Sequence, residues 1–315
     1  MPSQTAVAAQ TLIPQKGWRR FWHNFKRDWM LHLFMLVPVV YTFLFSYIPV
    51  YGMQLAFKDY SPRAGIWGSP WIGFKHYVDF FNNYRWHVYV VNTVVLALYS
   101  LAVTFPLPII FALIMHVYSG KRLNKLAQNI TIMPHFISLV IMVGILNTLL
   151  NPVSGLVKYI GIHEDIRATK TAFRHMYVWS GAWQTFGWSS ILYVSSLSAV
   201  PQELHEAAKL DGASRMRRIL AVDLPTILPT IVMMLILRFG GIMSVGYQKV
   251  LLLQNEVNKD VSDILSLYVY SKGVSGGDYG FGMAIGWLDQ IVNIVLFATV
   301  NKITSVLSDG EMGLF

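Results

Sequence analysis

From Pro201 to Pro225 the sequence reads PQELHEAAKLDGASRMRRILAVDLP, a charged insert between two runs apolar enough to sit in lipid. It carries Glu203, Glu206, Asp211 and Asp223 against Lys209, Arg215, Arg217 and Arg218, arranged around Gly212. The pattern predicts two short helices joined by a corner. Ser198 is a candidate cap for the first, and Pro201 suits its first turn, where a missing N–H costs nothing. Asp211-Gly212 suits a turn, because glycine accepts backbone angles that other residues resist, and a second helix follows from Ala213. Leu204, Ala207 and Ala208, then Met216, Ile219 and Leu220, recur at helical spacing, with the charges mostly elsewhere around the axis. Such an amphipathic knob either rests on lipid headgroups or docks on a partner protein.

The surroundings decide what the knob is attached to. The chain has 315 residues, 54% of them hydrophobic and only 13% charged, with a mean hydropathy of +0.46. This composition belongs to a multi-spanning membrane protein. Six apolar segments reach the roughly 20 residues that a bilayer crossing needs: Met30–Tyr51, Val88–Met115, Ile130–Leu149, Tyr177–Val200, Leu224–Val245 and Phe281–Val300. Lipid offers the backbone no hydrogen-bond partners, so these segments are expected to be helices and the fold an all-α membrane protein. Pro106 and Pro108 predict a bend or tilt in the second span. The formal charge of +9 sits in short basic groups between apolar runs, which argues against a nucleic-acid partner. Cysteine is absent, so thiol chemistry and Cys-based zinc sites are excluded. No apolar region with a small-residue cleavage site precedes the first span, so no cleavable signal peptide is expected.

Orientation follows from the basic residues. With the N-terminus in the cytoplasm, 13 lie inside and 11 outside. The inside loops are shorter, and the cluster Lys16, Arg19, Arg20, Lys26 and Arg27 precedes the first span. Both termini are therefore expected in the cytoplasm. The expected organisation is a cytoplasmic tail (1–29), a six-span domain (30–305) with the loop 201–225, and a second cytoplasmic tail (306–315).

Several residues carry a resemblance. Glu206-Ala207-Ala208, then Gly212, then Val222-Asp223-Leu224-Pro225 resembles the EAA motif of ABC importer permeases, with Val222 where isoleucine is usual. The extended form EAAKLDGAS is similar to the carbohydrate-uptake branch of that family. The stretches YGMQLAFKDYSPRAGIWGSPWIGFKHYVDFF and LRFGGIMSVGYQKVLLLQNEV resemble permeases for complex saccharides, including acidic polysaccharides such as alginate. The resemblance implies a type I ABC importer permease fold in the bacterial inner membrane, with 201–225 as a coupling helix between spans four and five. It implies that Glu206, Ala207, Ala208, Leu210, Asp211, Gly212 and Arg215 contact a separate ATP-binding subunit. A second homologous permease, two ATP-binding subunits and an extracytoplasmic solute-binding protein are the implied partners, with a saccharide as cargo. The segments Lys58–Arg85, Lys158–Arg174 and Gln248–Gly280 are large enough to receive the binding protein.

The chain itself carries no phosphate loop: Gly68 to Gly73 is followed by Phe74 and Lys75. No cofactor is expected on it, and ATP-Mg would be used by the partner subunits. His205-Glu206 is followed by Lys209 where a zinc protease needs histidine, and no GxSxG elbow occurs. His135, alone in the third span, is expected to be a hydrogen-bonded packing residue. Arg238 and Asp289 are charges within spans five and six, and such charges face a bundle interior or an aqueous cavity. They either pair, contact the partner permease, or meet substrate. Trp183, Gln184, Trp188 and Tyr193 in span four either hold sugar by stacking and hydrogen bonds or serve packing, and Trp179 is a candidate interfacial anchor. A second class of function, an ion-gradient-driven transporter or channel, would use the charged spans as relays, but its inverted repeat with broken helices is not evident.

Overall fold

In the computed structural model, residues 22, 24–118, 120–161 and 164–308 are described. The expected tails, 1–29 and 306–315, fall largely outside them. The chain divides into two compact units, one up to Gln54 and one from Leu55. The first unit is dominated by α1 (Trp29–Thr42), which continues through a π turn at Phe43–Tyr47 into the 3-10 segment Ile48–Phe57. None of the α1 side chains is buried, and Leu31, Phe34, Val37 and Tyr41 are all exposed. A helix apolar on every face is stable only where lipid or another protein covers it.

In the second unit, α2 (Trp86–Thr104) and α3 (Pro106–Val117) form one long apolar stretch whose regular helix is interrupted at Phe105. Pro106 lacks the N–H that would continue the ladder, which accounts for the break there. Next come α4 (Lys121–Ile132), a 3-10 turn at Met133–Phe136, and α5 (Leu139–Leu149). The 29-residue α6 (Lys170–Ser198) is the central element and packs on α2, α3 and α4. After it come α7 (Gln202–Leu210), α8 (Arg215–Phe239, with a π segment at Ile219–Asp223), α9 (Tyr247–Leu253), α10 (Leu265–Val269) and α11 (Tyr279–Leu307). Among the described residues the extended pairing is limited to an isolated bridge between Lys58 and Trp71.

Lipid tails are as apolar as leucine, so helices in a membrane associate through close packing and polar ties more than through hydrophobic driving force. Both devices are present. A Cβ on Gly187 of α6 would run into the Thr131 carbonyl of α4, and one on Gly273 would meet Gly282 of α11. Leu96, Met142, Phe173, Val178 and Val250 fill one buried cluster, Ile109, Ala112, Leu197 and Ile227 a second, and Phe80, Leu265, Phe281 and Ile285 a third. Polar ties join α2 to the segment ahead of α10. Asn92 Nδ2 donates to the Asp260 and Asp263 carbonyls at 2.8 and 3.1 Å, Leu265 N–H donates to Thr93 Oγ1 at 2.8 Å, and Arg85 pairs with Asp263 at 2.9 Å.

The structure departs from the sequence expectations in three places. The third expected span is not one straight helix: the helical stretches Arg122–Phe136 and Leu139–Leu149 meet at 101°. The reason is local. Pro134 falls at the start of a tight 3-10 turn, Ile137 is extended (φ −76°, ψ 129°), and Ser138 caps a new helix by accepting the Ile141 N–H. Ser198 is not the cap of α7. It ends α6 with its hydroxyl on the Val194 carbonyl, and Pro201 takes the cap position. The fifth span begins earlier and ends earlier than expected, as α8 runs without a break through Leu224-Pro225 and stops at Phe239 before Gly240-Gly241. Among the described residues, four helices are by length and composition fit to cross a membrane, or five if the bent pair counts as one.

Candidate functional site

Two cavities open side by side along α6. The first, of about 280 Å³, is lined by Ser100 and Thr104 of α2, Tyr177, Gly181, Gln184 and Thr185 of α6, Arg238 at the end of α8, Ser244, and Lys249 of α9. The second, of about 450 Å³, shares Thr104, Thr185 and Arg238 and adds Phe105, His135, Trp188, Ser189 and Tyr193. Neither lining includes an aspartate or glutamate. Arg238 is exposed where the two meet, and among the described residues its guanidinium makes no ion pair.

The fold therefore brings Gln184, Trp188, Tyr193 and Arg238 to one place and leaves Trp183 and Asp289 outside it. Of the alternatives left open for these two charges, an Arg238–Asp289 ion pair is not formed among the described residues. Asp289 lines a different cavity with Tyr247, Tyr270 and Gln290, and its carboxylate accepts from Asn293 Nδ2 at 3.4 Å. Four residues before Asn293 on α11, it shares that helix's face with its own amide partner and not with the end of α8. Gln184 donates to the Ile137 carbonyl at 2.6 Å, so its amide nitrogen is already engaged. Tyr193 is buried with Ile109, Ala112 and Leu197, which makes it a packing residue whose edge reaches the cavity. Trp179 donates its indole N–H to Tyr99 Oη at 3.0 Å. His135 stacks on Trp188 with ring centroids 4.6 Å apart and planes 7° from parallel. The bend ahead of α5 carries His135 onto Trp188, so it packs as expected, by ring stacking and not through a hydrogen bond.

Sequence reading missed Lys249. It lies in what reads as an outer loop, yet its side chain is buried, donating to the Tyr177 carbonyl at 2.6 Å with its ammonium 4.7 Å from the Tyr177 ring centre. Gly181 makes room for it, since a Cβ there would come within 3.0 Å of Nζ. On α9, outside the spans, burial pushes the ammonium down from its ordinary 10.5 to about 8. No sequence signal marks it, because a lysine in a loop is ordinarily solvated.

At the charged insert, α7 ends in a corner built on Gly212, whose φ is +74°. Ala213 N–H donates to the Ala208 carbonyl at 2.9 Å and Gly212 N–H to the Lys209 carbonyl at 3.0 Å, the paired bonds of a Schellman motif. Ser214 then caps α8 by accepting the Arg217 N–H. Glu206 accepts from Gln202 Nε2 at 2.9 Å on the exposed face of α7. Ala207, Asp211 and Arg215 are also exposed, Ala208 is half-buried, and Leu210 is 90% exposed, with Met216 and Leu220 following on α8. Leu210, Met216 and Leu220 are thus large apolar side chains left exposed among the charges of the corner.

Comparison with known proteins agrees with this architecture. Residues 105–247 match the family described as binding-protein-dependent transport system inner membrane component. Protein LplB of Bacillus subtilis is 36% identical over 303 residues, covering 92% of each chain. The polygalacturonan/rhamnogalacturonan transport system permease protein YteP of the same organism is 34% identical over 290 residues, covering 90% of each. A solved chain of a bacterial ABC transporter involved in the import of the acidic polysaccharide alginate superposes with a TM-score of 0.83 at 34% identity, over 90% of this chain and 98% of that one. A chain of the bacterial alginate ABC transporter in complex with its alginate pentasaccharide-bound periplasmic protein gives 0.84 at 32% identity, over 94% and 100%. A shared fold and this much shared sequence, over nearly the whole length, make the chain a member of the binding-protein-dependent transport system inner membrane components, the multi-pass permease subunits of ABC transporters.

Proposed function

We propose that this permease forms half of the translocation path of an ATP-driven importer of oligo- or polysaccharide, with an acidic saccharide as cargo. The observation that carries this reading is the pair of cavities along α6. Two cationic side chains, Arg238 and Lys249, and the hydroxyls of Ser100, Thr104, Tyr177, Thr185 and Ser244 line them without one carboxylate. The exposed Trp188 face, backed by His135, offers a stacking platform for a sugar ring. That relatives serve polygalacturonan, rhamnogalacturonan and alginate supports the choice of an acidic cargo.

In this reading the chain crosses the inner membrane six times as one permease domain, residues 30–305, with both termini in the cytoplasm. The bent pair before Leu149 is one crossing and α6 another. At 29 residues, α6 is about 43 Å long, and its Gln184, Thr185 and Ser189 lower its hydropathy because they face the cavities. A second permease completes the path, and one of two ATP-binding subunits receives α7 and the Gly212 corner. Glu206, Ala207, Ala208, Leu210, Asp211, Gly212 and Arg215 form the docking face, so that closure of the motor biases a two-state arrangement of the spans. ATP-Mg is bound by those subunits. Exposed Trp67, Trp71 and Tyr84 are suited to meet an extracytoplasmic binding protein.

The test is reconstitution with the partner subunits and measurement of saccharide uptake. Uptake should require ATP and the binding protein, and uronate oligosaccharides should outcompete neutral ones. Uptake driven by a proton or sodium gradient without ATP would replace this reading with secondary transport.

A further inference from the structure

The charged insert holds a feature that coupling does not use. His205 of α7, His116 near the end of α3, and Asp223 in the π segment of α8 converge on one point. His205 Nε2 lies 3.1 Å from Asp223 Oδ1, His116 Nε2 lies 3.5 Å from the same oxygen, and the two Nε2 atoms are 3.5 Å apart. Asp223 is 1% exposed, and its Oδ1 is buried without a hydrogen-bond partner: the imidazoles stand beside it and align no N–H on it. A buried carboxylate oxygen left so is costly unless something charged occupies the space in front of it.

The triangle has the dimensions of a metal site. Zinc bonds to imidazole nitrogen and carboxylate oxygen are about 2.0 to 2.2 Å, so two ligand atoms of a tetrahedral site stand about 3.3 to 3.5 Å apart. The three observed edges fall at or near that value. Two nitrogens and one oxygen suit zinc and its first-row neighbours and do not suit calcium or magnesium, which take oxygen ligands. The π segment Ile219–Asp223 contributes, because a local change of helical pitch re-aims the side chain at its end. Lys209, Arg215 and Arg218 line the same cleft and oppose a cation. The first two are exposed and screened by solvent.

We propose that His116, His205 and Asp223 bind a zinc ion that pins α7 to the end of α3 and to the π segment of α8. Its place beside the Gly212 corner rests on the coupling reading; the binding does not. The experiment uses the chain in complex with its partner subunits, purified without a histidine tag, equilibrated with zinc and analysed for bound metal. Cobalt(II) then serves as a spectroscopic probe of the geometry. One equivalent should be retained per chain, cobalt should give the visible bands of a four-coordinate site, and occupancy should fall on acidification, because protons compete with the metal for the ligand atoms. His116→Gln, a change at a partly exposed side chain, should lose that equivalent while the complex keeps its elution profile, and Asp223→Asn should do the same. No retained metal, or full retention in His116→Gln, would overturn the proposal. Because metal content is read directly, its failure is distinguishable from a failure of ATP-linked uptake.

Discussion

Gly212 offers the sharpest test of how the corner works. Its φ of +74° lies in the left-handed region, and a Cβ added there would meet nothing within 4 Å. A substitution therefore clashes with no neighbour, and its whole cost is in the backbone. For an ordinary L-residue that cost is about 1–2 kcal/mol, more for a β-branched one, whereas asparagine tolerates the region. A penalty of this size shifts the ratio of formed to opened corner by about 5- to 30-fold. The two Schellman bonds, from Ala213 and Gly212 to the carbonyls of Ala208 and Lys209, are lost when the corner opens, and the direction in which the chain leaves α7 is then no longer fixed. ATP-linked uptake in proteoliposomes should therefore rank Gly212, then Asn, then Ala, then Val, with Gly212→Val lower by about an order of magnitude or more and membrane insertion unchanged. Parental uptake by Gly212→Val would refute the account of the corner. Equal damage by Gly212→Asn and Gly212→Val would refute it differently, since bulk at the contact, and not backbone angle, would then be the cause.

Three further outcomes follow from the same geometry. Leu210→Asp should weaken pull-down of the ATP-binding subunits by about 10- to 100-fold, because burying a leucine is worth about 1.5–3 kcal/mol and this one is 90% exposed. Arg238→Gln should reduce uptake of an acidic oligosaccharide by about tenfold or more, as hydrogen bonds to charged groups contribute about 1.5–3 kcal/mol, and should leave a neutral one little changed in competition assays. Lys249, lowered by burial to about 8, is cationic below that pH and neutral above it, so uptake of acidic cargo should decline as pH rises through about 8. Lys249→Arg, which stays charged, should flatten that profile in uptake measured from pH 6.5 to 9.

The turn of the corner was legible, but the start of the next helix was not: it was expected from Ala213 and begins at Arg215, with Ser214 as its cap. Asp211-Gly212 marks its own turn through glycine's backbone freedom, and Ser214 and the alanines behave as their local chemistry dictates. Ser198 was misread as a cap because it competes with its own helix, where its hydroxyl finds the Val194 carbonyl. The third span misled for a related reason: Pro134, Ile137 and Ser138 together turn the chain through 101°, while hydropathy averages over them.

What the sequence determined by itself is what depends on composition and short-range spacing: an all-helical membrane chain, a short charged helix after Pro201, and a corner at Gly212; that the helix after the corner runs on without a break into the next span was not legible. The tertiary structure alone decided which distant residues meet. Arg238 and Asp289 are both intramembrane charges, yet α8 and α11 present them to different cavities, and Lys249 enters the space beside Arg238 because Gly181, 68 positions earlier, leaves it open. His116, His205 and Asp223 lie on three elements and come within 3.5 Å only when those elements pack. Periodicity reports which face a residue takes on its own helix. Which helix lies opposite is fixed by steric fit between surfaces far apart in the chain, and that information is carried by no single stretch of it.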